Sequence, residues 1–263
     1  MSDCIVETSD GVMAIRFNRP EKMNAMGGTL MQEFDAALAE GNASDNVKAF
    51  VVTGEGRAWC AGADLTAMAG RGGGEQPNRR AAALDRIGPG RTVLALHYSE
   101  KPTIAAVNGV AVGGGFGLCS AFDIRIASEE ARFGTIFIKR GLAPDYGLSW
   151  YLPRLVGGQR AREMFYSGRI VGAQEALELG IVTKVVAPDQ LMDEAVGFAR
   201  EIAKHPPTAL TYTRRALRQS YSNTIEAQLE FEWANQKMAL ASAEFREATA
   251  AFIEKREADF SKV

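Results

Sequence analysis

Thr103-Ile104-Ala105-Ala106-Val107 runs through Asn108-Gly109-Val110-Ala111-Val112 into Gly113-Gly114-Gly115-Phe116-Gly117-Leu118, and Asp123-Ile124-Arg125-Ile126-Ala127 follows. The first five residues read as a strand buried on both faces. The glycines after it read as a strand-to-helix turn, with the helix continuing to Ala121. Asp123 to Ala127 is again a buried strand. Strand, helix and strand in succession imply parallel connections and an α/β fold.

The same alternation extends toward the N-terminus. Residues 4–18 alternate apolar and polar around Asp10-Gly11, which predicts a hairpin closed by Asn18-Arg19-Pro20. From Gly27 to Ala43, the residues Leu30, Met31, Phe34, Ala37 and Leu38 recur at helical spacing. Ala49-Phe50-Val51-Val52-Thr53 is a further buried strand, ended by Gly54. Residues 69–91, with Gly70-Arg71-Gly72-Gly73-Gly74 and Glu75-Gln76-Pro77-Asn78, lack a core face and predict a mobile loop. An amphipathic helix carrying Ile87, Val93, Leu94 and Leu96 is expected at its end.

Beyond residue 188 the strand signal stops. Residues 189–204, 208–221 and 224–257 are helical in pattern and free of interior proline. The division expected is therefore a core over 1–200 and a helical region over 201–263. The last helix carries Leu229, Phe231, Trp233, Met238, Leu240, Phe245, Phe252 and Ile253. A short tail cannot bury all of these on itself, so they predict packing on another subunit. The competing expectation is that the tail folds back onto its own core.

Composition narrows the chemistry. The chain has 263 residues with 3 Cys and 2 His, all far apart in sequence. A closed zinc site needs about four such ligands held together, so no metal is expected. Three scattered cysteines do not suit a disulfide scaffold and point to a reducing, cytoplasmic setting. The net charge of −2 gives no basic field for nucleic acid. No apolar run approaches the ~18 residues of a membrane helix.

Two glycine-bearing segments follow strands: Trp59-Cys60-Ala61-Gly62-Ala63-Asp64-Leu65 and Val107 to Leu118. Glycine there lets a ligand approach free backbone N–H groups. The second segment lacks the G-x-G-x-x-G spacing, and no P-loop lysine is present, so neither nucleotide-loop reading holds. Taken singly, each segment is a tight turn. Brought to one point, two backbone donors would make an oxyanion hole.

Several further stretches agree: Asn18-Arg19-Pro20-Glu21-Lys22-Met23-Asn24-Ala25, Leu152-Pro153-Arg154-Leu155-Val156-Gly157 and Ala251-Phe252-Ile253-Glu254-Lys255-Arg256. With the two glycine segments and Asp123 to Ala127, they follow one another through nearly the whole chain as in the crotonase superfamily, the enoyl-CoA hydratase/isomerase family, which the sequence resembles. The resemblance implies a crotonase-like spiral of ββα units and a C-terminal α-helical trimerisation region. The expected assembly is a homo-oligomer, a trimer or a hexamer. The ligand implied is an acyl-CoA thioester, with coenzyme A part of the substrate and no separate cofactor. The N–H groups of Ala63 and Gly114 would hold the thioester oxygen. Lys22, Met23, Ala25, Ala61, Asp64 and Leu65 match positions around the nucleotide and pantetheine. Phe252 and Lys255 match a tail segment that reaches coenzyme A, commonly across a subunit boundary. Read without the resemblance, Lys22 and Lys255 are ordinary solvated lysines.

The reaction depends on the acids near that oxyanion hole. Hydratases of this family use two glutamates, whose places here hold Gly117 and Phe137. Neither residue can deprotonate water or protonate carbon. One acid remains in a suitable stretch, Gly141-Leu142-Ala143-Pro144-Asp145-Tyr146-Gly147-Leu148. Some isomerases of the family carry an Asp or Glu there, directly before a glycine, whereas here Tyr146 stands between the acid and Gly147. A single carboxylate suits isomerisation, because it can take a proton from one carbon and return it to another. An apolar wall from Phe137, Tyr146 and Trp150 would raise its pKa. The bland alternative makes Asp145 the N-cap of the next helix. The other functional readings are a hydratase with an atypical acid, an aryl-CoA dehalogenase needing a histidine base such as His97, and a non-catalytic acyl-CoA-binding or RNA-binding member.

Overall fold

The computed structural model describes residues 2–64, 66, 87–88 and 90–260. Leu65 and nearly all of the expected 69–91 loop lie outside the described residues.

The hairpin forms as the alternation predicts. Strands β1 (Cys4–Ser9) and β2 (Val12–Phe17) pair antiparallel from Ser9↔Val12 to Cys4↔Phe17. Asp10 and Gly11 both take left-handed backbone, φ 50° and 79°, the pair of values that a two-residue type I′ hairpin turn needs. Helix α1 (Leu30–Ala43) buries Leu30, Phe34, Ala37 and Leu38, the spacing seen in the sequence. Strand β3 (Ala49–Gly54) then lies parallel to β2.

Three strand pairs build the rest of the core. β3 is followed by the short β4 (Ala58–Cys60), β5 (Thr103–Val107) by β6 (Val110–Val112), and β7 (Ile124–Ser128) by β8 (Arg132–Gly134). The first member of each pair joins one sheet and the second joins another. The larger sheet, closed by β10 (Lys184–Val186), runs β1-β2-β3-β5-β7-β10 and is parallel from β2 onward. The smaller, with β9 (Ile170–Gly172) added antiparallel, runs β4-β6-β8-β9. The three-residue strands are too short for any periodicity to show them in advance.

Every residue of β3 and β5 is buried. Their side chains divide by parity, as a pleated strand requires. Phe50, Val52, Ala105 and Val107 join the main core inside the spiral. Ala49, Val51, Ile104 and Ala106 face the other way, onto Leu191, Ala195 and Ala199 of helix α7 (Leu191–Ala203). Between β3 and α7 in sequence come α2 (Gly90–His97), α3 (Gly114–Ser120), α4 (Leu148–Val156), α5 (Gly158–Ser167) and α6 (Ala173–Glu178). The core face of α2 carries Thr92, Val93 and Leu96, whereas Ile87 and Leu94 are exposed, contrary to the sequence reading.

The last helices are α8 (Pro207–Gln219), α9 (Ile225–Leu240) and α10 (Ala243–Glu254). The single helix expected over 224–257 is in fact two. Ser242 breaks it: its hydroxyl accepts from the Phe245 amide at 3.0 Å and caps a new helix. α8 is docked on the core through arginine. Arg214 Nε donates to Asp123 at 2.9 Å and Nη2 to the Leu96 carbonyl at 2.9 Å, and Arg218 donates to the His97 carbonyl at 3.1 Å. α9 and α10 do not fold back. Trp233, Met238, Phe252 and Ile253 are each more than half exposed.

Candidate active site

Residues 18–26 are shaped by two consecutive left-handed residues, Met23 (φ 52°) and Asn24 (φ 53°), after a short 3₁₀ turn over Pro20–Lys22. Asn24 is fully buried and fully used. Its Oδ1 accepts from the Arg19 amide at 2.8 Å, and its Nδ2 donates to the carbonyls of Glu55 and Ala58 at 3.0 and 2.7 Å. The segment is thereby held against the turn between β3 and β4, and backbone bonds tie it to the loop after β4. Ala61 N donates to Met23 O at 3.1 Å, Met26 N to Gly62 O at 2.7 Å, and Asp64 N to Met26 O at 3.3 Å.

That pairing aims Ala63. Its neighbours bond toward Met26, so its own N–H points to the opposite side. On that side stands the start of α3. A Cβ at Gly62 (φ 85°) would lie 2.8 Å from Val112 O and 3.2 Å from Gly114 N. A Cβ at Gly115 would lie 2.1 Å from Cys60 O. Only bare glycine backbone permits the two loops to touch here. Neither Ala63 N nor Gly114 N donates to a backbone carbonyl among the described residues. Two free amides at one cleft suit an oxygen that gains negative charge.

A cavity of about 400 Å³ opens on these amides. Lys22, Met23, Ala25, Ala61, Ala63, Asp64, Gly114 and Asp145 all line it, as does Phe137. Thus eight of the sequence-derived positions meet at one place. Ile136, which carried no signal in the sequence, also lines it, as do Arg140 and Leu142 from the stretch leading to Asp145. Phe252 and Lys255 do not line it. They stand at the end of α10, Phe252 being 86% exposed.

The two carboxylates of the cavity differ. Asp64 is engaged, with Arg19 Nη2 at 3.5 Å and the Thr66 hydroxyl at 2.6 Å. Asp145 has no hydrogen-bond partner on another residue among the described ones. The expectation that it caps the next helix is not met: Gly147 is the N-cap of α4, and no side chain caps it. Desolvation raises the Asp145 pKa above the ordinary carboxylate value. Its Oδ1 would be 3.3 Å from a Cβ at Gly114, which places the carboxylate beside one of the two free amides. Gly117 and the buried Phe137 supply no acid.

Other candidate groups are elsewhere or inert. His97 lines a separate cavity and pairs with the Tyr151 hydroxyl at 3.0 Å. Burial pushes the thiols of Cys60 and Cys119 up to about 12, so both stay protonated.

The fold places two free backbone amides at one cleft, which can hold an oxygen that gains negative charge. The family model "Enoyl-CoA hydratase/isomerase" matches residues 7–262. The chain is 35% identical over 251 residues to the "1,2-epoxyphenylacetyl-CoA isomerase" of Escherichia coli (strain K12), covering 95% of each chain. It is 38% identical over 256 residues to the "Probable enoyl-CoA hydratase" of Rhizobium meliloti (strain 1021), covering 97% of this chain and 96% of the other. The crystal structure of an enoyl-CoA hydratase from Bacillus anthracis superposes with a TM-score of 0.91 at 31% identity, over all of both chains. The chain belongs to the enoyl-CoA hydratase/isomerase family.

Proposed function

We propose that the protein is an acyl-CoA isomerase that moves a proton, and with it a double bond, in an enoyl-CoA or an aryl-derived acyl-CoA. The observation that carries this is one carboxylate of the cavity, Asp145, which has no side-chain partner among the described residues and is set beside the Gly114 amide where Gly117 and Phe137 provide no second acid. Asp145 takes a proton from the acyl carbon next to the thioester. The thioester oxygen gains charge and is held by the N–H groups of Ala63 and Gly114. The same carboxyl then returns the proton two carbons away. Losing one such amide donor typically costs ~3–4 kcal/mol of transition-state stabilisation.

Lys22, Met23, Ala25, Ala61, Asp64 and Leu65 would hold the nucleotide and pantetheine, with coenzyme A arriving as part of the substrate. Phe252 and Lys255 would reach it from a neighbouring copy in a trimer or hexamer. The dehalogenase reading loses support because His97 lies in a different cavity. The hydratase reading draws on the relatives of that name but finds no acid at the two expected places.

Adding 2-enoyl-CoA and 3-enoyl-CoA separately tests the proposal. Conversion of the 3-enoyl substrate, lost in Asp145→Asn, is the expected result. Fast hydration of the 2-enoyl substrate that survives Asp145→Asn would overturn it. Tight coenzyme A binding with no turnover and no α-proton exchange would instead favour a non-catalytic role.

A further inference from the structure

Gly117 lies within α3 and has no positive φ, so its backbone does not demand glycine. Space does. A Cβ at 117 would stand 2.6 Å from Tyr146 Cβ and 3.1 Å from the carbonyl oxygens of Asp145 and Tyr146. One turn earlier, a Cβ at Gly114 would stand 3.0 Å from Tyr146 Cδ2. The Asp145-Tyr146 segment therefore lies flat on α3 from residue 114 to residue 117, and its ring covers the first turn.

The segment is held there under strain. Tyr146 has φ 48°, a left-handed value rare for a bulky residue, and Gly147 follows with φ 70°. Two consecutive left-handed residues turn the chain so that the Asp145 carboxylate faces Gly114 while the Tyr146 ring packs against the main core. A less strained turn would release both. Burial also pushes the Tyr146 phenol up, which keeps it neutral.

We propose that Tyr146 is a specificity-determining residue: paired with Gly117, it fills the space that a second acid and its water would need, and so confines the site to proton transfer by Asp145. This deepens the isomerase reading and rests on it. Hydration requires a positioned water with a base, together with a proton donor to carbon. The Tyr146 ring and backbone take the room over the first turn of α3 from which a side chain at 117 would act. Asp145 then both accepts the proton and returns it, with less exchange into solvent.

The test uses the full chain and four variants: Gly117→Glu, Tyr146→Gly, the double variant, and Tyr146→Phe. Melting temperature is measured for each, with 3-enoyl-CoA isomerisation, 2-enoyl-CoA hydration and deuterium uptake from D₂O into the isomerised product. Gly117→Glu is expected to lower the melting temperature, and the Tyr146→Gly background to cut that loss by at least about half, as coupled neighbours do. Tyr146→Gly is expected to slow isomerisation at least ~10-fold and to raise deuterium uptake, whereas Tyr146→Phe, which keeps the ring, holds uptake low. The double variant should hydrate at least ~10-fold faster than Gly117→Glu alone. An equal melting loss in both backgrounds overturns the pairing. Unchanged deuterium uptake in Tyr146→Gly, or equal hydration by Gly117→Glu and the double variant, overturns the specificity role. Full activity in Asp145→Asn would instead remove the isomerase reading, and the melting comparison would still decide the pairing.

Discussion

Asp145 illustrates how one side chain couples stability and chemistry in opposite senses. Its pKa in the folded chain is raised by desolvation, so the folded state holds its proton more tightly than the unfolded state does. The stability it contributes is therefore lost as pH rises from the ordinary value through the raised one. At neutral pH the charged carboxylate is a liability, and Asp145→Asn is expected to melt at a higher temperature than the native chain, measured by calorimetry at pH 7. The same substitution should lower kcat/KM about 10³-fold, the usual contribution of a positioned general base. In the proposed isomerase Asp145 works as a deprotonated base, so activity should fall as pH drops through a pKa above the ordinary 3.8. A pH profile of kcat/KM should show that acidic limb in the native chain and none in Asp145→Asn. The sequence identified this residue and the absence of acid at 117 and 137. It did not show that Gly147 rather than Asp145 caps α4, because an N-cap and a free carboxylate have the same local pattern.

At the scale of elements, the two amides depend on how α3 meets the end of β4. Gly115 sits where a Cβ would be 2.1 Å from the Cys60 carbonyl, a backbone atom that cannot rotate away. Gly115→Ala should therefore drive the two elements apart. An overpacking cost of ~3 kcal/mol in chemical denaturation is expected, with a fall in kcat larger than any change in KM. A glycine-rich turn after a strand was legible in the sequence. Its closeness to Gly62 and Ala63 was legible only through the family resemblance, because no local period records which turn another turn will face. The break before α10 has a smaller effect. Ser242→Ala removes an exposed cap and should cost about 1 kcal/mol of stability in the same measurement.

Over the whole molecule, α9 and α10 are elements that leave large apolar side chains exposed. Leu229, Trp233, Met238, Phe245, Phe252 and Ile253 remain between 45% and 86% exposed, a quantity of apolar surface that a solitary protein would hide. α8, by contrast, is fastened to the core by Arg214 and Arg218 and holds the following helices outward. A homo-oligomer that covers these faces is the expected state. Trp233→Asp with Ile253→Asp should shift the chain toward monomer in sedimentation velocity. If Phe252 and Lys255 serve a neighbour's cavity, the same variant should raise KM for acyl-CoA more than it lowers kcat. A native chain that sediments as a stable monomer would contradict both expectations.

The sequence by itself determined the hairpin at Asp10-Gly11, the alternation of strands and helices, the burial of β3 and β5, and the helical end. Each of these is a local matter, since neighbours along the chain decide backbone conformation and the direction of each side chain. It also determined which acids are missing. The family resemblance brought Ala63 and Gly114 together in expectation, but only the tertiary structure decided how closely their loops touch, that the Asp145 carboxylate lies beside Gly114, and that Tyr146 occupies the space at Gly117. Those facts depend on which faces meet after parallel strands far apart in sequence have paired, and no periodicity along the chain encodes that choice.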